Sequence, residues 1–119
     1  MRFTIYDMLM APYEESDPGA SGTIAVTRFG AVFPLRTSAA ESRTMQAPYK
    51  PGIYCTLVMD EDGGDCTVTF ADAINSAGNT TATFNDVGDL LHMISVTAPS
   101  ADTGHKWMLI KNTGCSLSS

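Results

Sequence analysis

Residues 53–70 read IYCTLVMDEDGGDCTVTF, two apolar-alternating runs on either side of an acidic turn that contains two glycines. Alternation with a period of two places every second side chain on one face of a strand. If Asp60 stands opposite Asp65, antiparallel pairing sets Met59 against Cys66, Leu57 against Val68, Cys55 against Phe70 and Ile53 against Asp72. The first three pairs are wholly apolar and share a face. The other face carries Tyr54, Thr56, Val58, Thr67 and Thr69 and is more polar. The stretch therefore predicts a β-hairpin with one buried face. In that register Cys55 and Cys66 are not opposite each other, which argues against a disulfide between them.

Similar segments follow on both sides. Ser42–Pro48, Thr80–Phe84, Leu90–Thr97, Lys106–Lys111 and Cys115–Ser118 are short, extended and separated by turn residues. Upstream, Thr23–Phe29 reads as a strand, and Ala31–Arg36 as a second one that Pro34 confines to an edge or a bulge. Leu90–Thr97 and Trp107–Ile110 are apolar on both faces, as expected of strands covered on both sides. Asn112-Thr113-Gly114 reads as a hairpin turn. About eight or nine strands without a helix-length periodic segment predict an all-β protein. The expected architecture is a two-sheet antiparallel β-sandwich, jelly-roll-like, with an extended N-terminal arm.

The arm and its linker occupy residues 1–22 and the sandwich 23–119. Phe3, Ile5, Tyr6, Met8, Leu9 and Met10 form an apolar patch, and Glu14–Gly22 is polar and rich in Pro, Gly and Ser. This composition fits a docking arm on a tether. It equally fits an extra edge strand or a helical turn packed on the same domain. Phe3, Ile5, Tyr6, Met8, Leu9, Met10 and Tyr13 are the candidate contacts to a neighbouring subunit or a larger assembly. Met1–Ala11 does not read as a signal peptide, because Asp7 interrupts the apolar run; this points to use without secretion by that route.

The 119 residues amount to one domain and carry a formal charge of −6. No Lys/Arg cluster exists, which argues against nucleic acid and against an anionic membrane surface as partners. The longest apolar run is far too short to cross a bilayer as a helix. Three cysteines cannot all pair within one chain, so Cys55, Cys66 and Cys115 are expected as reduced, inert thiols.

Chemistry-bearing patterns are absent. Asp60–Asp65 has alternating acids before a glycine, as calcium loops do, but lacks the third alternating ligand and the later glutamate. An acidic turn explains it better. His92, Asp86, Asp89 and the cysteines have no nucleophile–base spacing. His92 and His105 have no metal-ligand spacing, and no Cys-x-x-Cys is present. The expectation is no enzyme, no cofactor and no metal. Phe70, Phe84 and Trp107 alternate inward; Tyr49 and Tyr54 flank Lys50-Pro51-Gly52 and are expected at the surface.

Six phrases carry a family resemblance: Ser42–Pro48, Pro51-Gly52, Asp62–Thr69, Ala77–Phe84, Asp86–Asp89 and Trp107–Ile110. Together they resemble the capsid decoration, or cement, proteins of tailed double-stranded DNA bacteriophages. The likeness covers about two-thirds of the chain and excludes Met1–Gly22. It implies a structural virion protein, made in the host cytoplasm, that sits on the outside of the head, is a homotrimer and bridges neighbouring capsomers of the major capsid protein. The rival expectation is a carbohydrate-binding or adsorption module of a head fibre or tail. A groove of exposed aromatics with adjacent Asp or Asn would favour that rival.

Overall fold

A computed structural model describes residues 13–101 and 103–119. Among the described residues, ten strands alternate for the most part between two facing layers. They are β1 (Tyr13–Glu14), β2 (Gly22–Ile24), β3 (Gly30–Thr37), β4 (Glu41–Met45), β5 (Tyr54–Asp62), β6 (Cys66–Phe70), β7 (Thr81–Phe84), β8 (Leu90–Thr97), β9 (His105–Thr113) and β10 (Ser116–Ser118). Among the described residues, sheet A has the order β1-β3-β5-β8-β9, and sheet B the order β10-β7-β6-β4-β2. The molecule is an all-β, sandwich-like protein, as expected from the strand density. Ile24, Phe33, Leu35, Met45, Leu57, Val68, Phe84, Leu91, Met93 and Trp107 fill the space between the sheets.

The pairing corrects the antiparallel, jelly-roll-like expectation. β1 with β3, β3 with β5, β2 with β4 and β4 with β6 are parallel. The remaining pairings are antiparallel. Parallel neighbours cannot be joined by a tight turn and need a crossover. Here the crossover is itself a strand of the opposite sheet, so the first six strands run to and fro between the layers, as in coiled β-solenoids.

The predicted hairpin is the clearest casualty. β5 lies in sheet A, where Leu57 pairs with Phe33 and Leu91; β6 lies in sheet B, where Val68 pairs with Arg43 and Ala82. Leu57–Val68 and Cys55–Phe70 are thus not ladder neighbours, although all four side chains are buried. Alternation located the inward face correctly and could not name the partner strand. The reason lies in the turn. Gly63 N–H donates to Thr37 O (2.9 Å), Thr37 Oγ1 donates to Gly64 O (2.6 Å), and Glu41 N–H donates to Asp65 O (2.9 Å). The β5–β6 connection therefore stacks on the β3–β4 connection. A Cβ on Gly63 would meet the backbone of Thr37 and Ser38, and one on Gly64 that of Ala39 and Ala40. The two glycines serve this close approach of two arches.

The Asn112–Gly114 turn behaves likewise. Its strands belong to different sheets, so it is an arch and not a hairpin. The Asn112 side chain closes it, donating from Nδ2 to Cys115 O and accepting from Cys115 N–H, both at 3.0 Å.

Other expectations hold or shift by a few residues. Pro34 lies beyond the short β1 ladder, next to a bulge between Leu35 and Arg36. The Thr23–Phe29 strand shortens to Gly22–Ile24, because residues beyond Ile24 must cross to sheet A. β8 is central in its sheet, but only its inward side chains Leu91, Met93 and Ser95 are buried; Leu90, His92, Ile94 and Val96 remain half-exposed. Phe70, Phe84 and Trp107 are buried as expected. Cys55, Cys66 and Cys115 are free and buried.

Candidate interface surfaces

Glu14–Gly22 is fastened to the sandwich along its length. Glu15 N–H donates to Val32 O (2.8 Å) and Ser21 N–H to Ser42 O (2.8 Å). Asp17 sits at the centre. Its carboxylate accepts Nε and Nη2 of Arg43 and the backbone N–H of Arg36, each at 2.8 Å, and Gly19 N–H at 3.1 Å. Arg43 also reaches Glu41 (3.1 Å), Arg36 O (3.1 Å) and Ser42 O (3.1 Å), and its side chain has no solvent exposure. Burial would raise the Asp17 carboxyl, but the hydrogen bonds from Arg43, Arg36 and Gly19 outweigh it and hold the group below the ordinary carboxylate range. The Arg43 guanidinium is held correspondingly more firmly charged, chiefly through its hydrogen bond to Asp17. A residue type that is almost never fully buried unpaired is thus the clamp between the linker and both sheets. Sequence reading missed it, because nothing local marks Arg43 among alternating Ser, Thr and Met as an inward residue.

Of the candidate contact residues, Phe3, Ile5, Tyr6, Met8, Leu9 and Met10 lie outside the described residues. Tyr13 pairs with Ala31 on the short strand β1 of sheet A.

The outer face of sheet A is apolar at its centre. Val32 on β3, Tyr54, Thr56 and Val58 on β5, and Leu90, His92, Ile94 and Val96 on β8 point away from the core, with Met108 and Ile110 beside them on β9. Tyr54 and Ile110 are about half exposed, at 49% and 51%. Among the described residues the charges of this face stand at its margins: Glu14 on β1, Lys106 and Lys111 on β9, and the exposed Arg36–Asp60 pair (2.8 Å) at the strand ends. In the middle, the His92 ring stacks on Tyr54, with centroids 5.9 Å apart and planes 10° from parallel, and its Nδ1 lies 2.8 Å from Thr56 Oγ1.

The outer face of sheet B is different in kind. One register row runs Thr23, Thr44, Thr69, Thr81, Ser118; the next runs Ser42, Thr67, Thr83, Ser116. Every outward side chain of these strands bears a hydroxyl, and none is charged. The signal was present in the sequence as Ser42-x-Thr44, Thr67-x-Thr69, Thr81-x-Thr83 and Ser116-x-Ser118, but only strand order makes rows of it.

The structure assembles no reactive set among the described residues. Asp89 accepts Asn85 N–H (2.8 Å) and Asp86 N–H (3.0 Å) and so organises its own loop, while His92 faces outward on sheet A. Burial pushes the Cys66 thiol up to about 11 and the Cys115 thiol up to about 12, and raises Cys55 further still. Among the described residues no group of three or more His, Cys, Asp or Glu is placed to hold a metal ion. An open hollow of about 280 Å³ is lined by Val26, Thr27, Gln46, Ala47 and Tyr49. Nearby, Lys50 Nζ lies 4.1 Å from the centroid of the Phe29 ring and 5.6 Å from that of Tyr49. The hollow has one exposed aromatic and no Asp or Asn in its lining.

No protein-family model matches the chain, and no curated protein matches it.

Proposed function

We propose that this is a structural virion protein that binds the outside of a phage head and cements neighbouring capsomers of the major capsid protein. The observation that carries the reading is the outer face of sheet A. Its apolar, uncharged centre belongs to a chain of net charge −6, and burial against another protein is the role that suits such a face. The phrases that resemble decoration proteins supply the class of partner.

Magnitudes shape the docking mode. Four strands about 4.8 Å apart and about 27 Å long cover a footprint of about 500 Å². A standard stable interface buries about 800 Å² on each partner. The face is therefore most of a docking surface and not all of one. The apolar residues Phe3–Met10, which precede the edge of the same sheet, are the natural supplement. A homotrimer would multiply both contributions without new contacts. Binding only the assembled shell stabilises it by mass action.

The test is co-pelleting of the purified protein with empty heads of the phage that encodes it. Full-length protein is expected to pellet. Deletion of Met1–Pro12 is expected to weaken retention, and Ile94→Lys to weaken it more. Retention unchanged by both would remove sheet A and the arm from the interface. The rival carbohydrate module rests on Phe29 and Tyr49, and the hollow beside them lacks the carboxylate or Asn that orients a sugar.

A further inference from the structure

We propose that protonation of His92 loosens the docking of sheet A, so that retention on the shell depends on pH. The proposal rests on the reading that sheet A is the docking face, and it assigns that face its regulation.

The argument begins with position. The register places Glu14, Val32, Thr56, His92 and Lys111 in one row across the five strands of the sheet. His92 therefore has a neutral hydroxyl on one side and a cation on the other. Its outward neighbours along β8 are Leu90 and Ile94, and Met108 and Ile110 stand beside it on β9. The Tyr54 ring stacks on the imidazole, and Thr56 Oγ1 lies 2.8 Å from Nδ1. Among the described residues Nε2 has no hydrogen-bond partner, so on the free face it is left to water.

Among the described residues no carboxylate of this face is near enough to offset a charge on the ring. Strands repeat about every 4.8 Å, which puts the backbone of Glu14, three strands away, about 14 Å from that of His92. Asp60 stands four residues along β5 from Thr56, a span of about 13 Å, and it already carries Arg36 at 2.8 Å. Both lie beyond the screening length of about 8 Å at physiological salt. The adjacent charge is Lys111, and it repels an imidazolium.

Docking acts on this site through water. The free face tolerates a charged ring because water reaches it. Apolar partner atoms displace that water, and burying a charge without a counter-charge is costly. The Tyr54 ring attracts a cation, and the Thr56 hydroxyl can donate or accept. Both do so on the free and the docked face alike, so neither favours docking of the charged form. Docking therefore selects the neutral imidazole. The complex then holds fewer protons than the separated partners, and affinity falls as pH drops. Histidine is the side chain that changes charge between about pH 5 and 8. Apparent affinity follows the fraction of molecules in the competent form.

The experiment co-pellets the full chain with empty heads at about pH 7.5 and about pH 5.5, at one ionic strength. The unaltered protein is expected to bind about tenfold less tightly at the lower pH and to rebind when the pH is restored. His92→Gln is uncharged at either pH and is expected to bind equally at both, whatever its affinity. The sequence has one other histidine, His105, which pairs with Thr97 at the far end of β8. His105→Gln is expected to keep the tenfold ratio. Thermal melting at each pH shows that every variant is folded. Equal retention of the unaltered protein at both pH values, tighter retention in acid, an unchanged ratio in His92→Gln or a lost ratio in His105→Gln would overturn the proposal and leave the docking reading standing. Failure to pellet at either pH would overturn the docking reading, and this inference with it.

Discussion

Arg43 and Asp17 form a two-point ion pair: Nε and Nη2 of the guanidinium each lie 2.8 Å from a carboxylate oxygen, across 26 residues of chain. The pair is closed off from solvent, with side-chain exposures of 0% and 8%. It ties the segment before β2 to β4 and, through Arg36 N–H and O, to β3.

Removing Arg43 leaves Asp17 with only the Arg36 and Gly19 N–H groups, and neutralising Asp17 leaves Arg43 with only Glu41 as a charged partner; breaking a buried pair in this way costs up to about 3–5 kcal/mol. Arg43→Met and Asp17→Asn are therefore each expected to lower the unfolding free energy by about that amount. Urea titration followed by Trp107 fluorescence measures it. A loss below about 1 kcal/mol for both would mean that the linker contributes nothing to the fold.

The same pair sets an acid limit. Asp17 is held below the ordinary carboxylate range in the folded state. The unfolded chain therefore takes up a proton at this site before the native one does, and stability falls as pH drops through and below that range. The contribution is fully present above it. Melting temperature against pH is expected to fall on the acid side, and less steeply in Asp17→Asn. Parallel curves would assign the acid sensitivity to other groups.

Gly63→Ala separates the observed arch from the hairpin reading. In a simple acidic turn the added methyl would project into solvent. In the stacked arches it meets the backbone of Thr37 and Ser38, and overpacking of this kind costs about 1–3 kcal/mol. Chemical denaturation of this variant should show that loss. Leu57→Ala, at about 2–5 kcal/mol, does not discriminate, because Leu57 is buried in either arrangement.

These positions show what was legible in the chain and what was not. Strand locations and inward faces follow from alternation, so Leu57, Val68 and Phe84 were found as core. Partner choice does not follow, because an arch and a hairpin use the same turn residues and the same period. Gly63 and Gly64 could announce either, and only their approach to the 37–40 backbone decides. Arg43 was hidden for a related reason: its partner Asp17 lies in a segment whose composition reads as a tether. The apolar outer face of sheet A was mistaken for burial. Leu90, Ile94 and Val96 make β8 read as covered on both sides, whereas these three side chains are half-exposed.

The thiols are expected to be silent in the folded protein. Burial raises all of them, Cys66 to about 11 and Cys115 to about 12, so the reactive thiolate is scarce near neutral pH. Labelling with a thiol reagent should proceed at the rate of global unfolding and be abolished by conditions that stabilise the fold. Rapid stoichiometric labelling of the native protein would contradict the buried placement of these residues.

The central claim concerns which face meets the shell, and electron cryo-microscopy of purified particles tests it most directly. The account predicts density for the protein on the outer surface of the head, with Tyr54, His92, Ile94 and Met108 turned toward the major capsid protein and the Ser/Thr rows turned to solvent. Density absent from the head, or sheet A turned outward with its apolar centre uncovered, would contradict it.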